Sequence, residues 1–161
     1  MNKKSTVYIA QGAMIAALYV ALTLIFQPIS FSSVQFRIAE ALTIMPLFTP
    51  AAIPGLFIGC LVANFLGGAV IIDIIFGSIA TLIGAVFGYF LKKNRWLVPI
   101  PAIVSNMLII PLVLKYGYEV DVPYFIQMLY IAVGEICGCY ILGELLATAI
   151  YRTGADKKIQ Q

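Results

Sequence analysis

The side chains able to do chemistry in this chain are few, and nearly all of them interrupt apolar sequence. Arg37 and Glu40 stand at the mouth of VQFRIAEALTIMPLFTPAAIP, residues 34–54. Asn64 lies near the end of the next apolar run, Asp73 near the start of the one after it, Asn106 inside a fifth, and Gln127 and Glu135 inside a sixth. A charge at the centre of a bilayer costs roughly 2.5–3.5 kcal/mol on insertion scales, so it persists where it has a partner, reaches water or meets a ligand. Tyr124, Gln127, Ile131 and Glu135 are spaced i, i+3, i+7 and i+11 and therefore share one helical face. Glu135 would sit about 18 Å along that helix from Pro123, near the bilayer midplane. Each acid also has a plain structural reading. Glu40 can pair locally with Arg37 at i, i+3, Asp73 can satisfy free amides at a helix start, and Glu135 can be protonated or bonded to a neighbouring helix. Glu144 falls on the other side of the same segment, near its end, where snorkelling or contact with a partner is the simpler expectation.

The surroundings of these residues decide the class. The chain has 161 residues, of which 62% are hydrophobic and 11% charged, and its mean hydropathy is +1.02. Soluble chains carry about 25% charged residues, so the expectation is an all-α integral membrane protein forming a single transmembrane domain over residues 1–161. The net charge of +3 comes from ten basic residues scattered over loops and ends, without a basic stripe or interleaved aromatics, which argues against nucleic acid. No histidine is present, and Cys60, Cys137 and Cys139 all lie in apolar runs. Cys137 and Cys139 point to nearly opposite sides of a helix and have no third or fourth nitrogen or sulfur ligand near, so they are expected to pack as small apolar residues, with no metal and no cofactor. The sequence contains no G-x-x-x-x-G-K-[ST] loop and no nucleophile paired with histidine, so it is not expected to hydrolyse ATP or to be an enzyme.

Six transmembrane helices are expected, at about residues 7–27, 37–48, 51–66, 70–91, 97–114 and 123–151. The first has about 20 apolar residues, longer than the 7–15 of a signal peptide, and is expected to be retained. Pro46, Pro50 and Pro54 make the second and third a kinked, re-entrant or tightly turned pair. The sixth would reach roughly 43 Å and must tilt or protrude. With six spans, Lys3, Lys4, Lys92, Lys93, Arg95, Arg152, Lys157 and Lys158 fall on one side, and only Arg37 and Lys115 on the other. The positive-inside rule then puts both termini in the cytoplasm and turns Arg37, Glu40, Asn64, Asp73, Glu119 and Asp121 toward the outer face. No internal repeat of the kind found in many secondary transporters is evident.

The first segment carries a different pattern. Ala10, Ala13, Ala17 and Ala21 form a stripe of small residues beside Gly12 and Ala16, and such stripes let membrane helices approach closely. Ala16-Ala17-Leu18-Tyr19-Val20-Ala21 is similar to the AAxxxA pattern of substrate-binding S components of energy-coupling factor (ECF) transporters. The run VQFRIAEALTIMPLFTPAAIPGLFIGCLVANFLGG resembles the signature stretch of the QueT family of queuosine-precursor transporters, and the likeness extends over essentially the whole chain.

The resemblance implies an ECF S-component-like bundle in a bacterial cell membrane. It would take up 7-deazaguanine compounds such as queuine or its aminomethyl precursor. Partners would be a transmembrane coupling subunit, docked on Ala13, Ala16, Ala17 and Ala21, and two ATPase subunits, besides membrane lipid. Chemistry fits that substrate class. A guanine-like edge presents an N–H beside an amino group, which one carboxylate accepts together. Glu135, Glu40 and Asp73 are the candidate acceptors, and Asn64, Asn106 and Gln127 candidates for the carbonyl and ring nitrogens. Phe36, Tyr124 and Tyr130 are candidates for stacking, with Arg37 at the rim. The competing expectations are a stand-alone carrier in which Glu135 exchanges a proton, and a structural membrane subunit without a ligand.

Overall fold

A computed structural model describes residues 3–30 and 36–159. Of the polar-aromatic connector 29–36, positions 31–35 lie outside the described residues. Every described element is helical: α1 (Lys3–Ile25), the short α2 (Gln27–Ser30), a 3-10 segment (Ile38–Leu47), α3 (Ala52–Leu66), α4 (Ile71–Phe90), a 3-10 turn (Arg95–Leu97) and α5 (Ile100–Gly117). A long final helix follows, made of α6 (Tyr124–Glu135), a π-helical stretch (Ile136–Leu142) and α7 (Gly143–Thr153), before the terminal turn α8 (Asp156–Ile159). Four stretches are long and apolar enough to cross a membrane: Lys4–Ile25, Ile71–Phe90, Arg95–Gly117 and Tyr124–Thr153. Ile38–Leu47 and Ala52–Leu66 are apolar but shorter. The protein is an all-α, multi-pass membrane protein.

The second apolar run forms a 3-10 helix. Pro46 lies inside it and lacks an amide hydrogen, while the Glu40 amide is held by the Arg37 carbonyl at 3.1 Å and the Phe48 amide by that of Met45 at 2.9 Å. At about 2.0 Å rise per residue, ten residues reach about 20 Å, a third farther than the same residues in an α-helix. Ala39 through Pro46 are all buried, because α1, α3, α4, α7 and the π-helical stretch pack around this rod. It is the axis of the molecule.

Glycines let the surrounding helices come close. In α1, Gly12 and Ala16 face Gly55 and Gly59 of α3. A Cβ on Gly55 would stand 2.7 Å from the Gly12 carbonyl oxygen, and one on Gly59 2.9 Å from Tyr19 Cβ and 3.0 Å from Ala16 Cα. This is the small-residue packing by which apolar helices associate in lipid. Gly138 does the same for the final helix, since a Cβ there would fall 2.8 Å from the Arg37 carbonyl oxygen and 3.4 Å from Glu40 Cβ. The π-helical stretch is thereby seated against the rod just where it carries its acid. Gly154, at φ +68°, ends α7 in the left-handed conformation that glycine adopts without steric cost.

One end of the bundle gathers the basic residues. Gln11 Nε2 donates to the Ile159 carbonyl at 2.8 Å, and Thr49 Oγ1 donates to Gln11 Oε1 at 2.7 Å. Lys92 and Lys93 line a groove with Phe48, Thr49, Pro50 and Tyr151. The first turns of α1, the turn after the rod, the α4–α5 connection and the end of α7 therefore meet at one end.

Candidate functional site

The polar residues of the apolar runs come together around the rod in two layers. In the first, Arg37, immediately ahead of the rod, places Nη2 3.8 Å from Asp73 Oδ2. Asp73 sits in the first turn of α4, and its Oδ2 also accepts a 2.9 Å hydrogen bond from the Tyr118 hydroxyl, just beyond α5. Asn64, near the end of α3, donates through Nδ2 to the Asp73 carbonyl at 3.3 Å and contacts Cys60 Sγ at 3.7 Å. Cys60 Sγ in turn accepts from Thr81 Oγ1 at 3.4 Å and faces Arg37 Nη1 at 4.0 Å. Partial burial, together with the neighbouring Asp73 carboxylate, pushes the Tyr118 hydroxyl up to about 12. It remains a neutral donor at physiological pH.

The second layer lies about 6 Å farther along the rod, three residues at 2.0 Å each. Glu40 Oε1 accepts a short hydrogen bond from the Tyr19 hydroxyl of α1. Cys139, in the π-helical stretch, donates its thiol to Glu135 Oε2 at 3.0 Å and stands 3.8 Å from Glu40 Oε2. The Asn106 side chain of α5 is hydrogen-bonded to Glu135. Thr43, one turn on from Glu40, donates to the Glu40 carbonyl at 2.6 Å. Glu40, Asp73 and Glu135 are buried, with relative exposures of 1%, 0% and 4%.

Several sequence expectations change here. Arg37 makes an ion-pair contact with Asp73 from another helix, a partner that sequence spacing did not assign to it. The Glu40 side chain meets Tyr19 and Cys139, neither of which sequence spacing places near it. Cys60 and Cys139 are hydrogen-bonded thiols within the polar core, not inert packing, whereas Cys137 is half-buried outside it. Carboxylate oxygens do approach Cys139: donor atoms of Glu40, Glu135 and Cys139 lie within 4.8 Å of one another. Glu144 does not snorkel. It is buried and accepts from Arg95 Nη2 at 2.6 Å and Nε at 2.8 Å.

Among the sequence candidates, Arg37, Glu40, Asn64, Asp73, Asn106 and Glu135 are brought together. Gln127 is buried on the Glu135 face of α6, eight residues or about 12 Å before it. The aromatic candidates are not brought in. Phe36 is half-buried before the rod, Tyr124 donates its hydroxyl to the Leu108 carbonyl at 3.0 Å, and Tyr130 is 45% exposed on the outer surface of α6. The aromatics that touch the acids are Tyr19 and Tyr118, which sequence reasoning passed over. A signal for Tyr19 was present, since Ile15, Tyr19 and Thr23 repeat every four residues and form the buried face of α1.

A family model described as QueT transporter matches residues 9–152. The chain belongs to the QueT transporter family. It is 28% identical over 154 residues to the "Queuosine precursor transporter QueT" of Lactococcus lactis subsp. cremoris (strain MG1363), an alignment covering 88% of this chain and 90% of that protein. No solved structure matches the chain.

In this QueT family member α1 has two distinct faces. Ala13, Ala17 and Ala21 are exposed, whereas Ala16, next to them in sequence, is partly covered by Gly59 of α3. Tyr19 points the other way, into the acids. The same helix thus presents a small-residue surface outward and a hydrogen-bond donor inward.

Proposed function

We propose that the chain is the substrate-binding S component of an energy-coupling factor transporter, taking up queuosine precursors of the 7-deazaguanine class, including queuine and its aminomethyl precursor. The observation that carries the reading is the QueT transporter match over residues 9–152 of a chain whose buried carboxylates and amides converge from five different elements. A guanine-like edge has an N–H and an amino group that one carboxylate accepts in parallel. Glu40, Asp73 and Glu135 are such carboxylates, and Asn64, Asn106, Gln127 and Arg37 can read the carbonyl and ring nitrogens.

In this reading the rod and α3 are two short spans, making six in a bacterial plasma membrane. The basic end, with both termini, faces the cytoplasm, because it collects Lys92, Lys93, Arg95, Arg152, Lys157 and Lys158. Binding energy alone cannot drive accumulation. Work comes from two ATPase subunits through a transmembrane coupling subunit, which docks on the exposed Ala13, Ala17 and Ala21 face beside Ala16. The chain itself catalyses no reaction.

Uptake of labelled queuine into cells expressing the chain with an energy-coupling module tests this. ATP depletion should abolish accumulation, and an uncoupler that leaves ATP intact should not. Uptake by the chain alone that collapses with the proton gradient and ignores ATP would establish a proton-coupled carrier instead.

A further inference from the structure

We propose that the chain binds an anionic glycerophospholipid at the end of α4, with one acyl chain in the groove between α4 and α5 and the phosphate headgroup on Lys92 and Lys93. The site lies at the opposite end of α4 from Asp73, and it stands whether or not the chain binds a queuosine precursor.

The headgroup end is a groove of about 470 Å³. Its walls are the turn at 48–50 after the rod, Tyr89, Lys92 and Lys93 at the end of α4, and Tyr151 of α7. No acid is among these described lining residues. Among the described residues the ion pairs are Arg37 with Asp73 and Arg95 with Glu144, so neither Lys92 nor Lys93 is in one. Lys92 Nζ stands 3.9 Å from the centroid of the Tyr89 ring, which keeps that ammonium at the wall of the groove. Both lysines come directly after the apolar stretch Ile71–Phe90, at the depth where lipid phosphates lie. Topology accounts for lysines at the end of a span. It does not account for a walled, acid-free groove that two unpaired lysines share, and basic pockets of this kind between membrane helices bind anionic headgroups.

The acyl-chain end is a second groove, of about 530 Å³, between α4 and α5. Small residues close its base, since a Cβ on Gly84 would stand 2.6 Å from Ala102 Cα and one on Gly88 2.9 Å from the Val98 carbonyl oxygen. Large side chains form its walls: Ile83, Phe87 and Phe90 on one side, Ile100, Val104 and Leu108 on the other. The polar side chain that lines it, Ser105, is already engaged, donating to the Ala80 carbonyl at 2.8 Å. From Ile100 to Leu108 the groove runs about 12 Å along α5, most of the roughly 15 Å of hydrocarbon in one leaflet. The two grooves adjoin. Tyr89 lines the basic one and Phe90 the apolar one, and their rings meet edge to face at 6.3 Å. A basic groove at headgroup depth, continuous with an apolar groove a leaflet deep, has the shape and charge of one anionic lipid. Its headgroup would touch the end of the rod, α4 and α7 together, so binding should stabilise the fold.

The test is the thermal midpoint of the purified full chain in an uncharged detergent, titrated with dioleoyl phosphatidylglycerol, with dioleoyl phosphatidylcholine and with glycerol phosphate. Phosphatidylglycerol at saturation should raise the midpoint by at least about 5 °C. Half of that shift should be reached at a concentration at least about tenfold below the one phosphatidylcholine needs. Glycerol phosphate, a headgroup without chains, should leave the midpoint unchanged. The double substitution Lys92→Gln with Lys93→Gln should bring the two lipids together, and Val104→Trp, which fills the apolar groove from its exposed side, should diminish the phosphatidylglycerol shift. Equal responses of the native chain to the two lipids, or no response to either, would overturn the inference without reference to any variant. So would a preference for phosphatidylglycerol that survives the double substitution. A full shift from glycerol phosphate would show a soluble phosphate site and overturn the assignment to lipid.

Discussion

At the scale of single residues, the site depends on donors that hold acids still. Tyr118 gives Asp73 a hydrogen bond and stays protonated, because its ionisation is pushed up to about 12. A raised value leaves the donor in place at every pH below the ordinary tyrosine value of roughly 10. Tyr118→Phe should therefore weaken precursor binding about fivefold, near 1 kcal/mol for a half-exposed bond to a charged group. The factor should be the same at about pH 6 and about pH 9, as calorimetry at the two pH values would show. A factor that grows at low pH would mean another group governs Asp73. Arg95 has a structural task instead. Its pair with Glu144, at 2.6 Å and partly exposed, joins the α4–α5 connection to α7, and Thr148 Oγ1 accepts a further bond at 2.9 Å. Arg95→Ala should cost about 1–2 kcal/mol of stability and lower the thermal midpoint in detergent, with ligand affinity unchanged.

At the scale of elements, the rod and α1 connect the site to the rest of the bundle. Gly59→Val would drive a side chain into Tyr19 Cβ at 2.9 Å and Ala16 Cα at 3.0 Å. It should separate α1 from α3, displace the Tyr19 donor from Glu40 and reduce precursor binding at least about tenfold, a loss that titration of the purified variant would detect. Ala17→Trp adds bulk to the outward face of the same helix and should leave binding intact while abolishing ATP-driven uptake. Loss of binding as well would assign Ala17 to folding rather than docking. These elements were unequally legible. The helical class followed from hydropathy, and Pro46, Pro50 and Pro54 marked the second run as irregular. Their spacing does not say that ten residues adopt 3-10 geometry, because that conformation is imposed by burial among five neighbouring elements. The π-helical stretch is similarly set by contact, since it depends on Gly138 meeting the Arg37 carbonyl, a pairing over a hundred residues apart in sequence.

At the scale of the whole molecule, a membrane protein with this much buried polarity must have something to do with it. Arg37, Glu40, Asn64, Asp73, Asn106 and Glu135 were legible because each breaks an apolar run, and such breaks are expensive in lipid. Their partners were not. Cys139 and Tyr19 have side chains at home in a bilayer, so nothing in the sequence marks them until the fold sets them against Glu40. The aromatic candidates Tyr124 and Tyr130 lie apart from the acids for the converse reason, since amphipathic rings also settle at membrane surfaces with no ligand at all.

The most direct test of the central claim is equilibrium binding of queuine to the purified full chain in lipid nanodiscs, with guanine and adenine as competitors. Saturable binding of one queuine per chain is predicted, with guanine displacing it weakly and adenine not at all, because adenine lacks the paired N–H and amino donors that a carboxylate accepts. No saturable binding, or displacement by adenine as effective as by guanine, would contradict the assignment of the buried carboxylates to a 7-deazaguanine.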